Sequence, residues 1–199
     1  MNIMKPMVMY VILPAIVLFS SKTHAYEHNH DCTKNPIYCQ IVANKPTIKK
    51  AYAFKLSNII AKKTQKYKID HEIFTAILAQ ESMYNVSAKN CTTGLHEVVV
   101  TDNQGIVDLD KSPAYIKKQV CTDFGIGQIF YKTADSYDFD FVKLTTDVDY
   151  SVEAAAIVLE HFKNKYSKKE SNWWTRYNAS NKEAREKYKD LVERFINAD

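Results

Sequence analysis

What this chain has little of sets the first bounds on it. Only 4 of its 199 residues are glycine and 5 are proline. No segment is repetitive or of low complexity, so nothing in the pattern divides the chain into two globular units. A permanent bilayer-spanning helix needs roughly 18 or more apolar residues in a row. The run Met7 to Phe19 has only 13. Charge of one sign is also scarce. The formal net charge is +4, and the first 25 residues hold two lysines and no acid, which leaves 4 − 2 = +2 for the rest. That is too little for a nucleic-acid-binding surface, though a mildly basic one suits an anionic polymer. The spacing of the four cysteines matches no zinc motif, so neither a metal nor another cofactor is expected. His28 and His30 read as part of a solvated N-terminus.

What is present begins with an export pattern. Lys5 precedes the apolar run, and Thr23 and Ala25 stand at the −3 and −1 positions of a cleavage site. This is the layout of a signal peptide over residues 1–25. The expected mature chain starts near Tyr26 and carries all four cysteines, Cys32, Cys39, Cys91 and Cys121. An even count in an exported chain reads as two disulfides, for which three pairings exist. Cys32–Cys39 and Cys91–Cys121 are favoured because each closes a polar, turn-rich loop.

Residues 26–46, with Pro36 and Pro46, read as an irregular arm stapled by its own disulfide. Helical spacing runs from Thr47 to about Lys66 and resumes after Asp70, a candidate N-cap for HEIFTAILAQES. The segment 86–123 differs. NCTTG reads as a loop, HEVVVT and GIVDLD as a hairpin about DNQG, and SPAYIKKQ as a short helix. A strong helix follows from Asp149 to Tyr166, with Val152, Ala155, Ala156, Leu159 and Phe162 inward. NWWTRYNAS reads as a short helix and turn with both tryptophans in the core. Residues 181–196 form a last amphipathic helix with Ala184, Tyr188, Leu191, Val192 and Phe195 on one face. The expected fold is mainly α, a helical domain with a small β-hairpin lobe.

The chemistry centres on AQES, residues 79–82, where Glu81 ends a mostly apolar helix. A carboxyl there either points to water or is held protonated by its surroundings. AQES, then GIGQ at 125–128, RYN at 176–178 and Tyr188, stand in the order that resembles the lytic transglycosylase family with the soluble-transglycosylase (SLT) domain. The likeness spans about residues 55 to 196. It implies a goose-lysozyme-like α+β fold, with residues 47–199 as the enzyme domain and 86–123 as an insertion beside the cleft. It also implies cleavage of the MurNAc–GlcNAc bond of peptidoglycan to a 1,6-anhydro end, in the periplasm of a Gram-negative bacterium. On the resemblance, Glu81 is the catalytic acid and base. Ser82, Gly125, Gly127, Gln128, Tyr177, Asn178 and Tyr188 form the substrate site, the glycines leaving room for sugar rings. Gly127 replaces the usual methionine, a form similar to the branch attached to secretion and conjugation machines, which makes such an apparatus the expected partner. Ser180 stands where the family has a glycine. Two alternatives stay open: a hydrolytic lysozyme of similar fold, and a non-catalytic module that binds peptidoglycan or a partner. The hydrolase needs a second carboxylate or a positioned water. Asp102, Asp108, Asp110 and Asp123 are available, and none matches a second catalytic position of the family.

Overall fold

The computed structural model describes residues 32–98 and 114–198. The expected export signal, His28 and His30, the DNQG turn, and Asp102, Asp108 and Asp110 lie outside them. Among the described residues no helix is long and apolar enough to cross a membrane.

Pro36 opens the first helix, α1 (Pro36–Asn44), where its missing N–H costs nothing, and the Asn35 side chain accepts from the Tyr38 N–H as the cap. The segment expected to be an irregular arm is therefore partly helical, and Ile37, Tyr38, Ile41 and Val42 are buried in the main core. Their i, i+1, i+4, i+5 spacing makes one apolar face, a signal that two prolines and a cysteine obscured. The Cys32–Cys39 disulfide ties the residues before α1 to its first turns.

Helices α2 (Lys50–Tyr67) and α3 (His71–Ser82) follow. The Asp70 side chain accepts from the N–H groups of Glu72 and Ile73, so the expected cap of α3 is present. Between Phe74 and Ala79 every residue of α3 is buried, which makes it the central helix of this half.

Strands β1 (Lys89–Val98) and β2 (Ala114–Phe124) pair antiparallel, and β2 also pairs with the short β3 (Ile129–Phe130). Two expectations fail here. NCTTG lies within β1 rather than in a loop, and most of SPAYIKKQ lies within β2 rather than in a helix. Lysine and glutamine favour helix only weakly, whereas Tyr115, Ile116 and Val120 suit a strand, and the long ladder to β1 decides. The Cys91–Cys121 disulfide joins opposite residues of that ladder.

Two short helices, α4 (Tyr131–Ser136) and α5 (Phe141–Thr146), lead into α6 (Val148–Tyr166). Ser151, Val152, Ala154, Ala155, Ala156, Val158 and Leu159 of α6 are buried, and Phe162 packs at the edge of the core. On its other side α6 is bound to α2 by a polar cluster in which Lys63, Lys66 and Tyr67 all meet Glu153. Burial pushes the Glu153 carboxyl up, but those hydrogen bonds outweigh it and hold its pKa at about 2.

A 3₁₀ turn (Trp173–Tyr177) and α7 (Lys182–Ile196) complete the chain. Trp174 is buried and Trp173 partly so. Of the expected face of α7, Tyr188 and Val192 are buried, whereas Leu191 is exposed because it lies at the margin of the stripe. The helices and the small sheet enclose one hydrophobic core, a mainly α, lysozyme-like α+β architecture.

Candidate active site

The last turn of α3 puts Glu81 at a cleft. With glycine scarce, the chain leaves α3 through two non-glycine residues in left-handed backbone, Met83 at φ 51° and Tyr84 at φ 62°. Such residues cost free energy unless their surroundings fix them. Here they are fixed from the N-terminal helices. Asn44 Nδ2 donates to the Tyr84 hydroxyl at 2.9 Å, Tyr52 donates its hydroxyl proton to the Tyr84 carbonyl at 3.0 Å, and Lys45 Nζ donates to the Met83 carbonyl at 2.9 Å. Tyr84 itself is almost fully buried. Helices α1 and α2 thus brace the end of α3 that carries Glu81.

Glu81 meets two donors from the other side of the molecule. The Tyr188 hydroxyl of α7 donates to Oε1 at 2.6 Å, and Asn178 Nδ2 lies 3.3 Å from Oε1 and 3.5 Å from Oε2. Burial is the largest influence on this carboxyl and pushes its pKa up. The two hydrogen bonds pull it back and the negative charge of Asp123 adds a further rise, with a result of about 7. Glu81 is therefore half protonated near neutrality. The Tyr188 hydroxyl is pushed well above the ordinary tyrosine value, by burial first and then by Glu81, so it remains a donor.

The 3₁₀ turn that carries Tyr177 and Asn178 is anchored at its own end. Arg176 pairs with Glu170 through Nε at 3.1 Å and Nη2 at 2.5 Å, and its guanidinium stacks 4.3 Å over the Tyr166 ring. Trp174, inside the same turn, packs against Tyr188 with ring centroids 6.4 Å apart.

The Gly-Ile-Gly-Gln turn lies against the end of α3, and its Gln128 lines the cleft with Glu81. Ser82 donates its hydroxyl proton to the Ile126 carbonyl at 2.8 Å, and the Ile126 N–H donates to Ser151 Oγ at 2.9 Å. Ser82 therefore joins α3 to the turn, and its hydroxyl is occupied by backbone rather than presented to a ligand. The two glycines are also there for packing. A Cβ on Gly125, at φ 78°, would sit 2.2 Å from the Leu144 carbonyl oxygen, and one on Gly127 would sit 2.6 Å from Ala155 Cβ. The contacts that demand glycine come from α5 and α6 at Gly125, and at Gly127 from α6 together with the hydroxyl of Tyr177, a cleft-lining residue, 2.6 Å away. Gln128 takes φ 46° and turns its Nε2 onto the Gly125 carbonyl at 2.9 Å. The Tyr177 hydroxyl donates to the Gly127 carbonyl at 2.7 Å.

The resulting cleft holds about 390 Å³ and is lined by Glu81, Asp123, Gln128, Tyr177 and Asn178 with an apolar wall that includes Ile129, Val158 and Phe162. A second cavity of about 360 Å³ shares Thr133, Val158 and Phe162 and extends past Tyr137 and His161. The two cavities lie side by side and share these three residues as a common wall. Of the expected site residues, Glu81, Gln128, Tyr177 and Asn178 face the cleft and Tyr188 reaches it through Glu81. Gly125, Gly127 and Ser82 lie behind its wall. The apolar wall went unread, although Ile129 and Phe130 directly follow the Gly-Ile-Gly-Gln turn and Val158 and Phe162 are four residues apart on α6. Among the described residues no group of three or more His, Cys, Asp or Glu is placed to hold a metal ion.

A family model described as the transglycosylase SLT domain matches residues 58–194. That span begins within α2 and contains every residue named in the cleft. No curated protein and no solved structure matches the chain.

Proposed function

The chain belongs to the transglycosylase SLT domain family, and from that premise we propose that Glu81 cleaves the MurNAc–GlcNAc bond of peptidoglycan and leaves a 1,6-anhydro end. A lytic transglycosylase domain acting on peptidoglycan is what membership implies; the residue roles and the product are our reading. The observation that carries it is Glu81 itself, a half-buried carboxyl held by Tyr188 and Asn178 at the wall of an open cleft, where burial pushes its pKa up to about 7. Bond cleavage needs a proton on the leaving oxygen as positive charge grows on the ring. Glu81 gives that proton, and the C1–O electron pair leaves with the oxygen. The 6-hydroxyl of the same sugar then attacks C1, and its proton passes to the Glu81 carboxylate, which restores the acid. Tyr188 and Asn178 hold the carboxyl in place through both halves of the cycle.

A second reading, with water as the attacking group, is favoured by one observation: Asp123 lines the same cleft. Mass spectrometry of fragments from purified peptidoglycan separates the two, because an anhydro end is one water lighter than a hydrated one. We expect anhydro ends, and a product mixture dominated by hydrated ends would replace this reading with the hydrolytic one.

Gln128→Ala is expected to lower muropeptide release by less than the roughly 10²-fold associated with loss of a general acid, because Gln128 shapes the turn and transfers no proton. Steady-state kinetics check it, and a complete loss in a well-folded variant would give Gln128 a larger part. The export pattern and the two disulfides support action in the periplasm. The Gly-Ile-Gly-Gln form supports local opening of the wall for a secretion or conjugation apparatus.

A further inference from the structure

We propose that Asp123 is a second catalytic carboxylate of this groove, placed to stabilise the positive charge that develops on the sugar ring as the glycosidic bond breaks. The inference rests on the reading of Glu81 as the acid.

The chain aims Asp123 with unusual care. In the ladder of β1 and β2, Asn90 pairs with Asp123 and Cys91 with Cys121, so Thr122 is an extra residue on β2. A bulge of this kind reverses the alternation of faces beyond it and redirects the side chains there. Asp123 is the first residue past the bulge. The disulfide fixes the ladder on one side, and pairing of Asp123 with Phe130 of β3 fixes it on the other. The bulge therefore sits between two clamps, and the residue it turns faces the cleft beside Glu81.

The carboxylate is held but not neutralised. Asn90 Nδ2 donates to Oδ2 at 3.0 Å and the Thr122 hydroxyl donates to the same oxygen at 2.7 Å. Both partners are uncharged. Its negative charge reaches the Glu81 carboxyl and helps to keep the proton there. A carboxylate fixed by two neutral donors, in the groove that holds the acid, is what an oxocarbenium-like transition state calls for. The balance of the step is unchanged. Glu81 supplies the proton, the leaving oxygen takes the electron pair, and Asp123 forms no bond.

Kinetics on purified peptidoglycan with the full chain test this. Asp123→Asn keeps the size and an acceptor oxygen but removes the charge. We expect kcat to fall by at least about tenfold while KM and the thermal midpoint change little. The alkaline limb of the kcat profile should also move to lower pH. Glu81 is faced by Asp123 from β2, by the Tyr177 hydroxyl from the 3₁₀ turn and by the Tyr188 hydroxyl from α7, and only the first carries a negative charge. A merely structural carboxylate would not move that limb. Thr122→Val, which removes one donor and keeps the charge, should retain most of the activity. Equal losses of activity and stability in the two variants would assign Asp123 a structural role and overturn the proposal, as would an Asp123→Asn protein with parental kcat. An inactive parental protein would overturn the enzymatic reading of Glu81, and this inference with it, whereas an active parent with an unaffected variant overturns the inference alone.

Discussion

Glu81→Gln is expected to abolish release of muropeptides, with a rate loss of at least about 10²-fold, while making the protein more stable at pH 8. The first half follows from the transferable proton. Glutamine keeps the shape and can accept from Tyr188, but it has nothing to give the leaving oxygen. The second half follows from burial. The folded-state pKa of about 7 lies above the ordinary carboxyl value of 4.5, so ionising Glu81 costs the folded state free energy. That cost is absent below about pH 4.5, grows as pH rises towards 7, and is constant beyond it. The full shift corresponds to about 3 kcal/mol, and partial contact of the cleft with water reduces this to roughly 2 kcal/mol. Denaturant titrations of both proteins at pH 4 and pH 8 check the sign: the gap should be near zero at the lower pH and favour Glu81→Gln at the higher one. The same shift sets the pH dependence of the parental enzyme, whose activity should fall as pH rises through about 7 and the acid loses its proton. A variant that digests peptidoglycan at the parental rate would remove Glu81 from the mechanism. One that is less stable at pH 8 would remove the buried-acid account of its pKa.

Gly125→Ala is expected to destabilise the fold by about 3 kcal/mol or more. Two costs combine. At φ 78° an alanine is strained by its own backbone, and its Cβ would stand 2.2 Å from the Leu144 carbonyl oxygen and 2.4 Å from Ser151 Oγ. Ser151 holds the Ile126 N–H, so relief of the clash would pull the Gly-Ile-Gly-Gln turn away from α6 and, through Ser82, from the end of α3. Equilibrium unfolding measures the loss directly. If the variant is within about 1 kcal/mol of the parent, α5 and α6 are less closely set against the turn than their geometry implies. A variant that folds but has lost activity would show that the turn's position, rather than its presence, supports the groove.

The helix of Glu81 was legible because its causes are local: Asp70 caps it, and apolar residues repeat at helical spacing. The order of AQES, GIGQ, RYN and Tyr188 was legible for the same reason, since each motif is a short string. The segment after Asn90 was not. Its strand pairing joins residues from 114 − 98 = 16 to 124 − 89 = 35 apart, and the helix-tolerant composition of SPAYIKKQ does not announce that β1 would claim it. The first helix is hidden in the sequence because Pro36 reads as a breaker, although proline after an asparagine cap is a helix start.

By itself the sequence determined most of the long helices, the presence of four cysteines beyond the export pattern and the order of the family motifs around Glu81, all properties of residues or of near neighbours. Only the tertiary structure decided what those residues do to one another. It set Gly125 against α5 and α6, and Gly127 against α6 and the Tyr177 hydroxyl. It bound Ser82 to the turn and brought Tyr188, 107 residues away, within hydrogen-bond distance of Glu81. It also placed Asp123 at the groove through a bulge that no periodicity announces. The physical reason is common to all four. A carboxyl's proton affinity and a glycine's necessity depend on which atoms lie within a few ångströms, and in a compact chain most of those atoms come from distant parts of the sequence.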